Sequence, residues 1–276
     1  MPFRNPMSAK SYEDNAHKIL YPCFVQPKVD GVRCITDGQQ FWSKNGKLFP
    51  KENFKHLQIP KSKYLIDGEL SLADHADFED IVSIVKRVGH PESEKLCFNA
   101  FDIMMDRPYF ERRKELQIFF TRKQVKILSG SWSRLITRTA VSEKDIKAIH
   151  TYFLKCGYEG SMIRDPLAKY MHVRSTALLK WKPLHADEFE IARIVEAKGK
   201  DSGTPIFVCV APVKNAQIKG EFAVFRVRPK GSMEQRQQMW RDRKKLIGKR
   251  LTVEYQNLTK YGVPRFPRAK VLRDYE

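Results

Sequence analysis

The chain has 276 residues, 42% of them hydrophobic, enough for one large domain or two ordinary ones and too apolar for a disordered chain. Lys and Arg number 51 against 32 Asp and Glu, and a net charge of +19 favours a polyanionic partner such as nucleic acid. No run of about 18 apolar residues could span a membrane, the start Met1-Pro2-Phe3-Arg4-Asn5-Pro6 is no apolar leader, and Cys23, Cys34, Cys97, Cys156 and Cys209 are too scattered for a disulfide framework or a zinc site, so an intracellular protein is expected.

Short apolar runs at Cys23-Phe24-Val25, Val32-Arg33-Cys34-Ile35, Tyr64-Leu65-Ile66 and 96–101 predict strands. Helical spacing marks 77–87, 111–123 and 142–155. Ser142, with Asp145 three residues on, predicts the start of the last of these. Asp74-His75-Ala76-Asp77 resembles a metal cluster but is read as a cap for the helix that follows. A boundary is expected near Pro183-Leu184-His185. Beyond it, strands at 189–195, 206–210, 221–227 and 251–255 with one helix at 233–246 predict a small β-barrel. Residues 187–276 carry a net charge of +9 and the first 186 carry +10, so the second part is about twice as basic per residue. Both parts are therefore expected to touch the polyanion. Arg241, Arg243, Lys244 and Lys245 on the late helix are read as nucleic-acid contacts rather than a solvated face.

Several short segments could carry chemistry. In Gln26-Pro27-Lys28-Val29-Asp30-Gly31-Val32-Arg33, a Lys follows a strand and precedes a Gly. It reads as a phosphate contact, a nucleophile or an ordinary hairpin charge. As a nucleophile it must lose its proton, and neighbouring cations such as Arg33 are expected to lower its pKa. Asp67-Gly68-Glu69 can hold a ribose hydroxyl or a metal ion, or can simply turn the chain. Phe101 before Asp102 can stack on a base or pack in a core. Glu159 before Gly160 is a further strand-associated carboxylate. Alternation in Leu178-Leu179-Lys180-Trp181-Lys182-Pro183 puts two ammonium groups on one face, where a phosphate would satisfy both. The last segment, Tyr261-Gly262-Val263-Pro264-Arg265-Phe266-Pro267-Arg268, clusters Arg residues able to clamp phosphates.

Taken in order, Lys-x-Asp-Gly-x-Arg, Asp-Gly-Glu, Phe-Asp, Glu-Gly, Lys-x-Lys and an Arg-rich end resemble the covalent nucleotidyltransferases. These are the DNA ligases, RNA ligases and mRNA capping enzymes. Within them, Ile247-Gly248-Lys249 and the run from Tyr255 to Pro267 look like the tail of small ATP-dependent DNA ligases. The resemblance runs from about residue 20 to the end.

The resemblance implies an α+β fold: a nucleotidyltransferase (adenylation) domain over 1–184, then an oligonucleotide-binding (OB) fold β-barrel over 185–276. It implies ATP as AMP donor, Mg²⁺ or Mn²⁺, and a monomer acting on nicked double-stranded DNA without an obligatory protein partner. Lys28 would be the nucleophile, with Asp30 acting in strand joining and Lys182 in catalysis. Gln26, Arg33, Glu69, Phe101, Lys180 and Lys182 would bind the nucleotide beside Lys28. Glu159 and Glu69 would hold the metal. Arg33, Ser43, Lys44, Lys47, Arg174, Arg265 and Arg268 would bind DNA. RNA ligase or capping-type transfer is the alternative, and Val263-Pro264-Arg265-Phe266-Pro267 argues against it.

Three features depart from the family pattern. Ser43-Lys44 stands where Ser-Arg is usual, which loses a bidentate fork. Arg273-Asp274-Tyr275-Glu276 lacks the terminal Lys, leaving Arg265, Arg268 and Lys270 as the available cations. The turn at about 211–220 is too short for the DNA-encircling loop of some viral relatives, so grip on the duplex is expected from distributed charge.

Overall fold

The computed structural model describes residues 3–72, 78–121, 131–211, 223–259 and 261–273. The Asp74–Asp77 cap, most of the turn at 211–220, and Asp274, Tyr275 and Glu276 lie outside the described residues. The chain divides by its internal contacts into Met1–Lys182 and Pro183–Glu276.

The first unit holds strands β1 (Ser8–Ser11), β2 (Cys23–Lys28), β3 (Val32–Thr36), β4 (Phe41–Ser43), β5 (Ile66–Leu72), β6 (Leu96–Ile103), β7 (Trp132–Arg134), β8 (Arg138–Ala140), β9 (Gly160–Arg164) and β10 (Arg174–Trp181). Its helices are α1 (Tyr12–Asn15), α2 (Phe78–Lys86), α3 (Tyr109–Thr121) and α4 (Glu143–Lys155). Ser142 caps α4 as expected, its Oγ accepting from the Asp145 amide at 3.2 Å. Two five-stranded sheets result, in the orders β1-β10-β9-β2-β8 and β4-β3-β5-β6-β7. The second sheet packs Ile66, Leu70, Phe98 and Ala100 against Ile81, Ile84 and Val85 of α2 and Leu116 and Phe119 of α3. The first packs Val25, Ile163 and Leu179 against Ile146 and Phe153 of α4. Burying such side chains contributes roughly 1.5–3 kcal/mol each.

The second unit holds β11 (His185–Glu196), β12 (Pro205–Ala211), β13 (Ala223–Val227), α5 (Met233–Arg241), α6 (Arg243–Leu246), β14 (Arg250–Tyr255) and β15 (Arg268–Arg273). Its sheet order is β13-β12-β11-β14-β15. β11 serves two ladders: 185–190 pair with β14 and 191–196 with β12, with a register shift between Ile191 and Arg193. Such an irregularity lets one long strand bend between two half-sheets. Among the described residues no ladder joins β13 to β15, so the expected barrel strands form an open sheet. The expected single helix at 233–246 is broken at Asp242, whose φ of −85° and ψ of 8° leave the helical range. Ser232 opens α5 through a capping box with Gln235. The expected Arg-rich tail includes a paired strand, β15.

Candidate active site

Register brings Lys28 to its partner. In the β2–β9 ladder Lys28 lies opposite Gly160, and the Glu159 amide donates to the Lys28 carbonyl at 2.9 Å. The Lys28 ammonium then donates to Glu159 Oε2, while Lys182, one residue beyond β10, donates to Oε1 of the same carboxylate. Close backbone approach makes this possible. A Cβ on Gly160 would lie 2.1 Å from the Trp181 carbonyl oxygen, and one on Gly31 would lie 2.2 Å from that of Leu70.

The charge balance corrects one expectation. Burial alone would lower the Lys28 pKa, but Glu159, with Glu69 and Asp30, outweighs it and holds the ammonium above its ordinary range. The Arg33 guanidinium is itself paired with a carboxylate. Its Nε and Nη2 donate to Asp67 at 2.8 and 2.5 Å, and Nη2 also donates to the Met7 carbonyl at 2.9 Å. Lys182 is the lysine whose pKa falls, through burial and then the Lys28 charge. Burial would raise Glu159, but Lys28 and Lys182 pull it below the usual carboxylate range. Glu69 is pushed up to about 7, mainly by burial, against the opposing pull of Lys28 and Arg33.

Lys28, Arg33 and Glu69 border a cavity of about 230 Å³. Gln26, Lys28, Glu69, Phe101 and Lys180 line it, and so do Arg33, Lys44 and Arg174. The residues expected to bind nucleotide, Lys182 excepted, and three of those expected to bind DNA thus share one opening. Ser43 and Lys47 close the neighbouring turn, where the Ser43 amide donates to the Lys47 carbonyl at 2.8 Å. Arg265 and Arg268 lie in the second unit. There Lys270 pairs with Glu254 at 2.8 Å, so its charge is shared with that carboxylate.

The Gln26 side chain is fully engaged. Its Nε2 donates to the Phe101 carbonyl (3.2 Å) and Thr137 Oγ1 (3.1 Å), and its Oε1 accepts from Arg164 Nε at 2.6 Å. In this arrangement Gln26 fixes Phe101 more directly than it presents an edge to a base. The Phe101 ring has the Arg33 guanidinium 5.1 Å and the Arg164 guanidinium 5.5 Å from its centroid.

Sequence reasoning missed the support beneath. Asp102 accepts from Arg112 Nε at 2.8 Å and from Arg164 Nη1 at 2.7 Å, and all three side chains are at most 4% exposed. Asp67 and Asp102 are register partners across β5 and β6. Two like charges so placed repel unless each has its own cation, which Arg33 and the Arg112–Arg164 pair supply. Arg112 hides in the buried stripe Tyr109, Arg112, Leu116 and Phe119 of α3, which reads as apolar from spacing. Arg164 left a fainter signal: it alternates with Met162 on β9, and both line the cavity.

Among the described residues, no group of three or more His, Cys, Asp or Glu side chains could cage a metal ion. Glu69, Glu159 and Asp30 are the carboxylates that act on the Lys28 charge, and Glu159 already accepts from two ammonium groups. This donor set fits a hard cation carried mainly by nucleotide phosphates, with one or two carboxylates assisting, and does not fit an all-protein cage.

Residues 6–182 match the family model of the ATP-dependent DNA ligase domain, and residues 213–273 match that of the DNA ligase OB-like domain. A DNA ligase of African swine fever virus (isolate Pig/Kenya/KEN-50/1950) is 29% identical over 278 aligned residues, covering 91% of this chain. The chain spans 63% of that relative's length. A DNA ligase of Haemophilus influenzae is 28% identical, with 88% of this chain and 83% of the relative covered. Among solved structures, one of the Lig E DNA ligases, described as binding DNA with a minimal scaffold, superposes with a TM-score of 0.78 at 23% identity. It covers 99% of this chain and 100% of its own, a likeness of fold. No helix among the described residues is long and apolar enough to cross a membrane.

Proposed function

The chain belongs to the ATP-dependent DNA ligase family, and from that membership we propose that it seals nicks between a 5′-phosphate and a 3′-hydroxyl in duplex DNA, with ATP as adenylate donor. The observation that carries this reading is Lys28: a strand-end amine at a cavity wall, sharing Glu159 with Lys182, beside Glu69, Phe101 and Lys180.

In the first step Lys28 Nζ attacks the α-phosphorus of ATP. A P–N bond forms, the bond to pyrophosphate breaks and AMP is held as a phosphoramidate. Attack needs the neutral amine, and Glu159 keeps the resting group protonated. The proton is released to solvent as the phosphates of ATP enter, and the hydrogen bond to Glu159 keeps the amine aimed. Lys182 and Lys180 then stay as cations where negative charge develops on the phosphoryl oxygens. Phe101 stacks on adenine and Glu69 holds the ribose. In the second step the 5′-phosphate of the nick takes AMP from Lys28. In the third, the 3′-hydroxyl attacks that phosphorus, AMP departs and the strand is continuous; Asp30 acts in these joining steps. Glu69 and Glu159 would hold Mg²⁺ or Mn²⁺ together with the nucleotide phosphates. Bound there, the cation would neutralise charge on the transferred phosphoryl group.

Residues 1–184 supply the chemistry and 185–276 the basic OB-like unit, and the protein acts as a monomer. DNA is held at Arg33, Ser43, Lys44, Lys47 and Arg174 in the first part, and at Arg265 and Arg268 in the second. Because this grip relies on dispersed charge, nick affinity is expected to fall by orders of magnitude between about 50 and about 200 mM salt.

Incubation with α-labelled ATP tests the reading. Wild type should take up acid-labile label and join a nicked duplex, and Lys28→Ala should do neither. Labelling by GTP in preference to ATP would instead indicate capping-type transfer.

A further inference from the structure

A segment outside every motif above touches two of the expected DNA contacts, Arg33 and Arg174, and the turn that carries Ser43, Lys44 and Lys47. Residues 3–11 run past the cavity, and Ser8 and Ala9 form part of its wall. β1 pairs in parallel with β10, and the Ser8 amide donates to the Val173 carbonyl at 3.1 Å. Along its length this segment meets groups from separate elements. The Ala9 carbonyl accepts from Arg174 Nη1 at 2.6 Å. The Met7 carbonyl accepts from Arg33 Nη2 at 2.9 Å, and the Met7 amide donates to the Tyr170 hydroxyl at 3.1 Å. That hydroxyl in turn donates to Asp67, the carboxylate that holds Arg33.

At the far end, Phe3 lies against the Ser43–Lys47 turn. Gly46 there has a φ of +78°, and a Cβ on it would fall 2.7 Å from Phe3 Cδ1, so the ring rests on the bare glycine backbone. The ring also packs on the buried cluster of Ile35, Trp42 and Leu65. The turn is rooted in β4, where Ser43 lies opposite Cys34 of β3, and beyond that root it is shaped by local bonds: Gly46 N–H to the Ser43 carbonyl at 2.9 Å, and Lys47 N–H to Ser43 Oγ at 3.1 Å. The ladder sets the root of the turn beside Arg33, while none of these bonds ties the tip of the turn to Arg174. A duplex backbone presents phosphates at set spacings, so cations from three elements are useful only when their separation is fixed.

We propose that residues 3–11 are a positioning strap for nicked DNA: they fix the Ser43–Lys47 turn, Arg33 and Arg174 in one arrangement, and Phe3 is the positioning residue that seats the turn. The proposal rests on the nick-sealing reading given above. Its nucleic-acid effect should separate from the nucleotide chemistry, because Phe3 is not among the residues lining the cavity.

The experiment measures two quantities on the full chain. One is equilibrium binding to a nicked duplex by fluorescence anisotropy. The other is the single-turnover rate of labelling by α-labelled ATP without DNA. Phe3→Ala should weaken nick binding roughly 5- to 10-fold, with the labelling rate kept within about twofold. Phe3→Leu, which keeps most of the apolar contact, should restore most of the affinity. Equal nick affinity in wild type and Phe3→Ala would overturn the proposal. So would loss of labelling in proportion to loss of binding, the mark of general destabilisation, or a Phe3→Leu protein no better than Phe3→Ala. Failure of wild type to label at all would count against the nick-sealing reading itself, which keeps the two failures distinct.

Discussion

In the first unit, Asp67, Asp102, Arg112 and Arg164 sit in the interior, and Lys28 at the cavity wall shares Glu159 with Lys182. In the second unit, the core is Phe189, Ile191, Phe207, Phe225, Leu251 and Val253, and Thr204 is the one buried polar residue among those described. Its charged pairs, such as Asp201 with Arg236 and Glu254 with Lys270, lie nearer the solvent. The contrast follows from what each unit must do. A site that moves a phosphoryl group needs charges held in place before substrate arrives, and packing holds them. A surface that grips a polyanion along its length needs charge density more than fixed geometry.

Breaking a buried pair should show the largest effect. Asp102→Ala strands Arg112 and Arg164 in the interior, and urea titration should show a loss of about 3–5 kcal/mol. The matched change in the second unit, Lys270→Ala, should cost no more than about 1 kcal/mol. Similar losses from the two would erase the contrast.

Glu159→Gln should come next, with labelling by ATP slowed about 10²-fold near neutral pH. Its pH profile sharpens the point. Glu159 raises the Lys28 pKa, so removing its charge lets the amine lose its proton more easily. The rising limb of the remaining rate should move to lower pH. A shift to higher pH would contradict the assignment of Glu159 as the group that keeps Lys28 protonated.

A smaller effect is expected where charge is dispersed. Arg265→Ala or Arg268→Ala should weaken nick binding a few-fold and reduce the slope of log affinity against log salt by about 1. An unchanged slope in both would remove these residues from the DNA surface.

The smallest effect concerns His150, which is buried against Trp181 with ring centroids 3.8 Å apart and has Nδ1 within 2.9 Å of Ser161 Oγ. Burial lowers its pKa below the ordinary 6.5, against a weaker raising effect of Glu13. Its contribution to stability is therefore present above pH about 6.5 and lost as pH falls through the lower folded value. His150→Gln should flatten the fall in Tm on acidification by roughly a few degrees. An identical acid profile would show that the ring does not titrate with folding.

Much of this contrast was legible in the sequence, because the chemistry-bearing segments keep a fixed order and end strands. Ser142 announced its helix because a cap acts within one turn. What stayed hidden depends on residues far apart in the chain. Glu159 is 131 positions from Lys28, so spacing points to cations such as Arg33 where the fold supplies a carboxylate. Arg112 occupied an apolar helical stripe, and only Asp102 and Arg164 across the fold explain its burial. Ser8-Ala9-Lys10-Ser11 has little strand propensity and is a strand because β10 offers it an edge. The break at Asp242 and the bend in β11 are likewise set by tertiary context.

The most direct test is peptide mapping by mass spectrometry after the protein meets ATP and a divalent cation without DNA. AMP should appear on the Lys28 side chain through an acid-labile P–N bond, and should disappear when nicked duplex is added. AMP on another residue, or an adduct on Lys28 that nicked DNA never discharges, would contradict the account.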